Sequence, residues 1–326
     1  MTEPGFDFHA LTPEHQLDAI ESVGIYPQSG LLALNSYENR VYQFVADDSK
    51  RYVVKFYRPA RWTDEQILEE HAFCQELVDA EVPVVAPLVL DGTSLFHFNG
   101  YRFALFPSVG GRNFEVDNWD QLEAVGRYLG RIHQVGAARP FQARARFDLD
   151  THLYQPRQAL THASLIPDGI KSTFFSDLDR LIDAISERWH TNWPIIRLHG
   201  DCHPSNILWR DGPLFVDFDD TRNGPAIQDL WLFLNGSRAD QLAQLDTLAE
   251  GYREFSEFPA DQLQLIEPLR GLRMVHYMAW LAKRWQDPAF PRAFPWFAEA
   301  KYWESQVLAF KEQLAALQAP SLTLYP

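Results

Sequence analysis

The chain has 326 residues, 46% hydrophobic and 22% charged, an ordinary globular composition long enough for one large domain or two lobes. Its formal net charge of −15 argues against a broad nucleic-acid interface, since such surfaces are carried by Lys and Arg. Cys74 and Cys202 are the only cysteines, MTEPGFDFHALTPEHQ lacks a basic-then-apolar start, and no apolar run approaches about 18 residues. No disulfide framework, secretory signal or membrane span is therefore expected, and the expected compartment is a reducing cytoplasm.

In chain order, RVYQFVADDSKRYVVKFY (40–57) sets two β-rich runs around the polar turn ADDSK, the pattern of a hairpin. TDEQILEEHAFCQELVDA (63–80) is expected to be a helix, with Thr63 as N-cap and Gln66 three residues on. Ile67, Phe73, Leu77 and Val78 supply its apolar side. VPVVAPLVL (82–90) reads as a further strand, and SLFHFNGYRFALFPS (94–108) as two strands joined by Asn99-Gly100. FALFPSVGGR (103–112) carries the Gly-Gly punctuation of a hinge. Beyond residue 115 helices take over. Leu122, Val125, Leu129, Ile132 and Val135 recur at steps of three and four, so 118–136 is amphipathic, and 172–190, 261–286 and 296–317 read alike. The expected class is α+β and bilobal: residues 1–106 form a small β-rich N-lobe and 107–326 a larger helical C-lobe.

HGDCHPSNILWRDGPLFVDFDD (199–220) crowds polar groups into a loop, a short strand, a turn and a second strand carried by FVDFDD. Zinc would need a second ligand pair, which Cys74 alone does not give. A merely polar loop does not explain a strand that ends in a run of acids, which repel unless a cation neutralises them. A site for a phosphate and its magnesium fits better. Asp201 and Asn206 stand five residues apart, as the base and the metal-binding Asn do in the kinase loop H-R-D-x-x-x-x-N. Asp217, eleven residues on, matches the D-F-G aspartate as a magnesium ligand. Upstream, Lys55 in YVVKFY takes the place of the strand lysine that holds the α/β-phosphates. Glu70, or alternatively Glu69, on the next helix would pair with it.

These motifs, with LHGDCHPSNILW in the pattern H-G-D-x-H-x-x-N, resemble the aminoglycoside phosphotransferase and choline-kinase branch of the protein-kinase-like fold. More narrowly, LNSYENRVY, VVKFYRP, LHGDCH, NILWRDGP and RNGPAIQDLW together resemble the bacterial stress-response kinases of that branch, along essentially the whole chain. The resemblance implies a kinase-like fold and an ATP- and magnesium-dependent enzyme. It would phosphorylate Ser or Thr of proteins, itself included, in a stress response, and Ser36 would touch ATP. Adenine is expected against the backbone of Leu105, Phe106 and Pro107, up to Ser108, between apolar side chains. No nucleic-acid or membrane partner is expected, and the chain is expected to be a monomer.

The departures matter as much. G-x-G-x-x-G is absent, so the phosphate loop falls on NSYENR (35–40), whose N–H groups and Ser36 hydroxyl would do the work, unless it is an ordinary hairpin turn. Asp219 replaces the D-F-G glycine, either as a second carboxylate near magnesium or as a turn cap. Asp217 to Pro225 is too short for an activation loop. Asp229 and His199 read as braces of the catalytic loop, His133 as a core histidine, and the Trp residues of 280–303 chiefly as packing. Arg270, Arg273, Lys283 and Arg284, mixed with acids, line the candidate acceptor helices and suit a protein hydroxyl better than a cationic metabolite. The alternatives are a small-molecule hydroxyl kinase, a nucleotide-binding pseudokinase scaffold and a metal hydrolase.

Overall fold

The computed structural model describes residues 7–324; the first and last residues of the lobes read above lie outside the described residues. The N-lobe is a five-stranded antiparallel sheet of spatial order β1-β2-β3-β5-β4 with a helix on each side. Helix α1 (Pro13–Glu21) opens it, capped by the Thr12 hydroxyl with Pro13 at its start. The sequence reading had only one helix in this region. The strands are β1 (Leu32–Ala33), β2 (Arg40–Val45), β3 (Arg51–Phe56), β4 (Phe96–Phe98) and β5 (Tyr101–Pro107). Helix α2 (Asp64–Asp79) falls between β3 and β4, and its Thr63–Gln66 capping box is formed reciprocally. The turn joining β4 to β5 has Asn99 and Gly100 both at positive φ, as a two-residue hairpin requires.

Period-two alternation sorts the two faces of this sheet. Phe44, Val54, Phe56, Phe103 and Leu105 point to α1 and pack with Ala19 and Ile20. Tyr57 and Ala104 point to the other face and pack with Ile67 of α2. Lys55, between Val54 and Phe56, shares the α2 face, which is also the cleft face. Helix α2 joins the lobes, because its Phe73, Cys74 and Leu77 belong to the core of the C-lobe.

The segment 82–90, expected to be a strand, is not one. It runs extended and makes isolated bridges, one of them Val84 to Phe215. Pro83 and Pro87 lack N–H donors, so a β-branched run that looks strand-like cannot sustain a ladder.

The C-lobe begins with β6 (Arg112–Asn113) and α3 (Trp119–Gly136). There follow α4 (Gln155–Thr161), α5 (Asp168–Arg188), β7 (Ile196–Leu198), β8 (Ile207–Trp209), β9 (Pro213–Phe215) and β10 (Arg222–Gly224). Helices α6 (Arg238–Tyr252), α7 (Ile266–Arg284), α8 (Ala289–Ala293) and α9 (Ala300–Gln318) complete it. Strand β9 ends at Phe215, so FVDFDD is not a strand throughout; Phe218–Asp220 form a 3-10 turn. Helix α6 has no counterpart in the sequence reading, because its apolar residues are not gathered on one side; it packs on α3 through a close backbone approach at glycines. A Cβ on Gly126 would stand 2.3 Å from the Leu248 carbonyl oxygen, and one on Gly130 2.5 Å from that of Tyr252. Gly130→Val should therefore force the helices apart and cost about 1–3 kcal/mol or more, read as a lowered urea midpoint. A midpoint unchanged by the substitution would contradict this packing. Helices α5, α7 and α9 form the remaining layer around Phe174, Trp303 and Phe310. Among the described residues no helix is long and apolar enough to cross a membrane.

Candidate active site

The loop after β7 carries His199, Gly200 and Asp201. Gly200 has φ +91°, and a Cβ there would lie 2.1 Å from the Asp220 carbonyl oxygen, so only glycine fits. Asp229 braces this turn: its carboxylate accepts the N–H of His199 at 2.7 Å and of Gly200 at 2.8 Å. His133, wholly inside the lobe, donates from Nε2 to Asp229 at 3.1 Å, and its Nδ1 meets the Tyr252 hydroxyl at 2.9 Å. His199 donates from Nε2 to the Val216 carbonyl, tying the loop to the segment that holds Asp217.

Asn206 donates its side-chain N–H to the Asp201 carbonyl at 2.9 Å, which commits its NH₂ group and turns its amide oxygen toward other partners. Past β9, Asp217 takes φ +63°, a left-handed conformation that Asp tolerates better than bulkier residues. Its side chain is 57% exposed, while that of Lys55 beside it is 8% exposed. Lys55 Nζ lies 3.1 Å from Asp219, 3.3 Å from Asp217 and 3.9 Å from Glu70. Burial disfavours its charge, yet these three carboxylates hold its pKa well above the ordinary lysine value. Lys55, Asp217 and Glu70 are thus brought together from a strand, a turn and a helix.

Glu69 faces elsewhere: its carboxylate accepts the backbone N–H groups of Gln142, Ala143 and Arg144. Two residues that carry the site had no sequence signal. Arg144 donates to Glu70 at 2.7 Å, to the carbonyls of Asp219 and Gln66, and lies over the Trp62 ring. Arg61 bonds Asp219 and Asp220. Asp219 is accordingly a buried ion-pair partner of Lys55 and Arg61, and these cations, Arg61 first, outweigh burial to hold its pKa below the usual carboxylate range.

Asp201 is 2.7 Å from Arg273 of α7 and 3.5 Å from His203. Burial opposes its charge, but the His203 contact and the Arg273 guanidinium win and hold the carboxyl well below the usual range. Ser36 Oγ donates to the Asn39 carbonyl at 3.4 Å, within a loop whose Asn39 side chain donates to Asp219 at 3.2 Å. In the hinge, the Leu105 carbonyl already accepts from Leu88 and the Ser108 N–H already donates to Arg51, while Pro107 has no N–H. The Leu105 side chain points to the α1 core, and Phe106 lies on the opposite, cleft face.

Oxygen donors dominate the cleft, which suits a hard cation rather than zinc. Among the described residues no three His, Cys, Asp or Glu side chains gather as a metal cage. A divalent ion here would rest on one or two protein oxygens and on a ligand's phosphates, the usual manner for magnesium.

The sequence profile of the phosphotransferase enzyme family matches residues 31–265. The serine/threonine protein kinase RdoA of Salmonella typhimurium is 56% identical over 326 residues, covering 100% of this chain and 99% of that one. Stress response kinase A of Escherichia coli K12 is 54% identical with the same coverage. Among solved structures, amicoumacin kinase in complex with AMP-PNP, Ca2+ and Ami superimposes with a TM-score of 0.72 at 17% identity, covering 96% of both chains. That likeness establishes the kinase-like bilobal fold.

Proposed function

Since the chain belongs to the phosphotransferase enzyme family, we propose that it moves the γ-phosphoryl of ATP to Ser and Thr hydroxyls of proteins, itself included, with magnesium as the metal. The observation that carries this reading is the convergence of Lys55, Asp217 and Asp219 within 3.3 Å contacts beneath the loop 35–40, next to the braced Asp201–Asn206 turn. The lobe boundary is read between residues 106 and 107.

Lys55, oriented by Glu70, holds the α/β-phosphates. Asn206 and Asp217 hold magnesium, which when bound neutralises charge on the phosphates. Ser36 and its loop cover them, and the backbone of Leu105 to Pro107 meets the adenine through groups other than the Leu105 carbonyl, which Leu88 already holds. Asp201 orients the acceptor hydroxyl and takes its proton as the oxygen attacks the γ-phosphorus and ADP leaves. Asp201 is ionised at neutral pH, held so against burial by His203 and Arg273, and in that form has an oxygen free of a proton to receive one.

The pH dependence follows. Loss of Arg273 removes a cation that lowers the Asp201 pKa, so Arg273→Ala should move the acid limb of kcat/KM to higher pH. An unchanged limb would detach Asp201 from that limb. For Ser36, backbone donors should dominate: Ser36→Ala should weaken ATP binding by roughly 0.5–1.5 kcal/mol, one hydrogen bond. Ser36→Pro, which removes an N–H and fixes φ, should weaken it far more. Equal, negligible effects on ATP affinity would put the phosphates elsewhere.

The protein acceptor is supported by the name of the RdoA relative and by the mixed charges of α7, where Arg270, Arg273 and Arg284 pair with Glu267, Asp201 and Glu38. A small-molecule hydroxyl is the second reading, favoured by the short passage from Asp217 straight into β10, which leaves no peptide platform of the protein-kinase kind. Labelled ATP with magnesium, offered a basic protein beside a panel of amino alcohols and sugars, separates them. Label on protein Ser or Thr supports the first; rapid turnover of one small hydroxyl compound without protein labelling supports the second.

A further inference from the structure

The loop 35–40 has no glycine with which to drape itself over a ligand, yet it is firmly seated. Its side chains reach the C-lobe at three places beyond the Asn39–Asp219 bond. Glu38, from the loop tip, accepts from Arg284 at 2.6 Å and from the Trp280 indole N–H at 2.7 Å, both on α7. Asp287, just past the end of α7, accepts from Arg40 at 2.9 Å and from Arg58 at 2.8 Å. Arg58 also donates to the carbonyls of Glu38 and Tyr37, and the Tyr37 ring packs 4.8 Å from that of Phe294. The side chains of Glu38 and Asp287 are 12% and 16% exposed, so water screens these pairs far less than it does surface pairs. Burial works against the Glu38 charge, but Arg61, Arg284 and Arg58 keep it ionised.

We propose that Glu38 and Asp287 are positioning residues that clasp the phosphate loop to the helical lobe, so that breaking the clasp opens the cleft for nucleotide exchange. Side-chain ties across the lobes replace the backbone freedom that glycine gives other kinases. The part concerning nucleotide rests on the reading of 35–40 as the phosphate loop; the clasp itself does not.

Hydrogen exchange tests the clasp without any ligand. Arg284 reaches the loop through Glu38 from a different lobe, so in Arg284→Ala the amides of 34–41 should exchange on the order of tenfold faster, while those of β3 stay as in wild type. Asp287→Asn, which leaves Arg284 in place, should loosen the same segment. In parallel, release of a fluorescent ADP analogue should quicken by a similar factor in Arg284→Ala and Glu38→Gln, with kcat and KM both changed. The double variant should be no faster than the faster single, because the two act on one contact. Unchanged exchange at 34–41 in both Arg284→Ala and Asp287→Asn overturns the clasp. Faster exchange with no binding of the analogue by wild type supports the clasp and overturns the phosphate-loop reading. Faster exchange with unchanged release overturns the role in nucleotide exchange.

Discussion

Replacing Asp201 by Asn should lower phosphoryl transfer on the order of 10²–10⁴-fold, the scale of a positioned general base, while ATP affinity stays within a few-fold. The amide keeps the shape of the side chain, so the braced turn around Gly200 and Asp229 should persist. What it loses is the site that accepts the hydroxyl's proton. It also loses the charge that draws in Arg273, 2.7 Å away, so part of the effect should appear as altered acceptor KM. Single-turnover measurements with bound ATP would separate the two. Near-full transfer by the variant would mean that another group takes the proton.

The second large effect concerns stability. Arg144 is wholly inside the protein and its guanidinium holds Glu70, which is 2% exposed. Arg144→Met removes the cation 2.7 Å from that carboxylate and leaves Lys55 at 3.9 Å as its nearer remaining partner. Breaking a buried pair from one side typically costs about 3–5 kcal/mol, because a charge is left uncompensated. The carbonyls of Gln66 and Asp219 would lose a donor as well. The double variant Arg144→Met with Glu70→Gln should recover part of the loss, since the orphaned charge is then gone. Urea unfolding of the three proteins measures this. A double variant no more stable than the single would mean that packing over Trp62, and not charge, is what Arg144 supplies.

The parts of the site that were legible in the sequence are those set by local rules. The spacing of Asp201 and Asn206 fixes a loop, alternation in YVVKFY turns Lys55 to one face, and Thr63 with Gln66 starts the helix that carries Glu70. Local rules also misled. VPVVAPLVL has the composition of a strand, but two prolines deny it a ladder, and its N–H groups are scattered over Leu77, Val82, Phe215, Leu105 and Thr93. Helix α6 hid because its apolar residues are not gathered on one side, and part of its contact is its backbone against Gly126 and Gly130 of its neighbour. The charged partners were out of reach for another reason. Arg144 meets a residue 74 positions away and Arg284 one 246 positions away, and no periodicity reports such pairs. Trp280 illustrates the point: read as packing, it spends its indole N–H on Glu38 of the opposite lobe.

Titration calorimetry with a non-hydrolysable ATP analogue tests most directly whether the cleft between Lys55 and Asp217 is the nucleotide site. Binding should occur in wild type and strengthen with magnesium. Asp217→Ala should abolish the magnesium dependence and Lys55→Met should weaken binding with or without the metal. Binding of equal strength in all three proteins, unaffected by magnesium, would place the nucleotide elsewhere and contradict the assignment of this cleft.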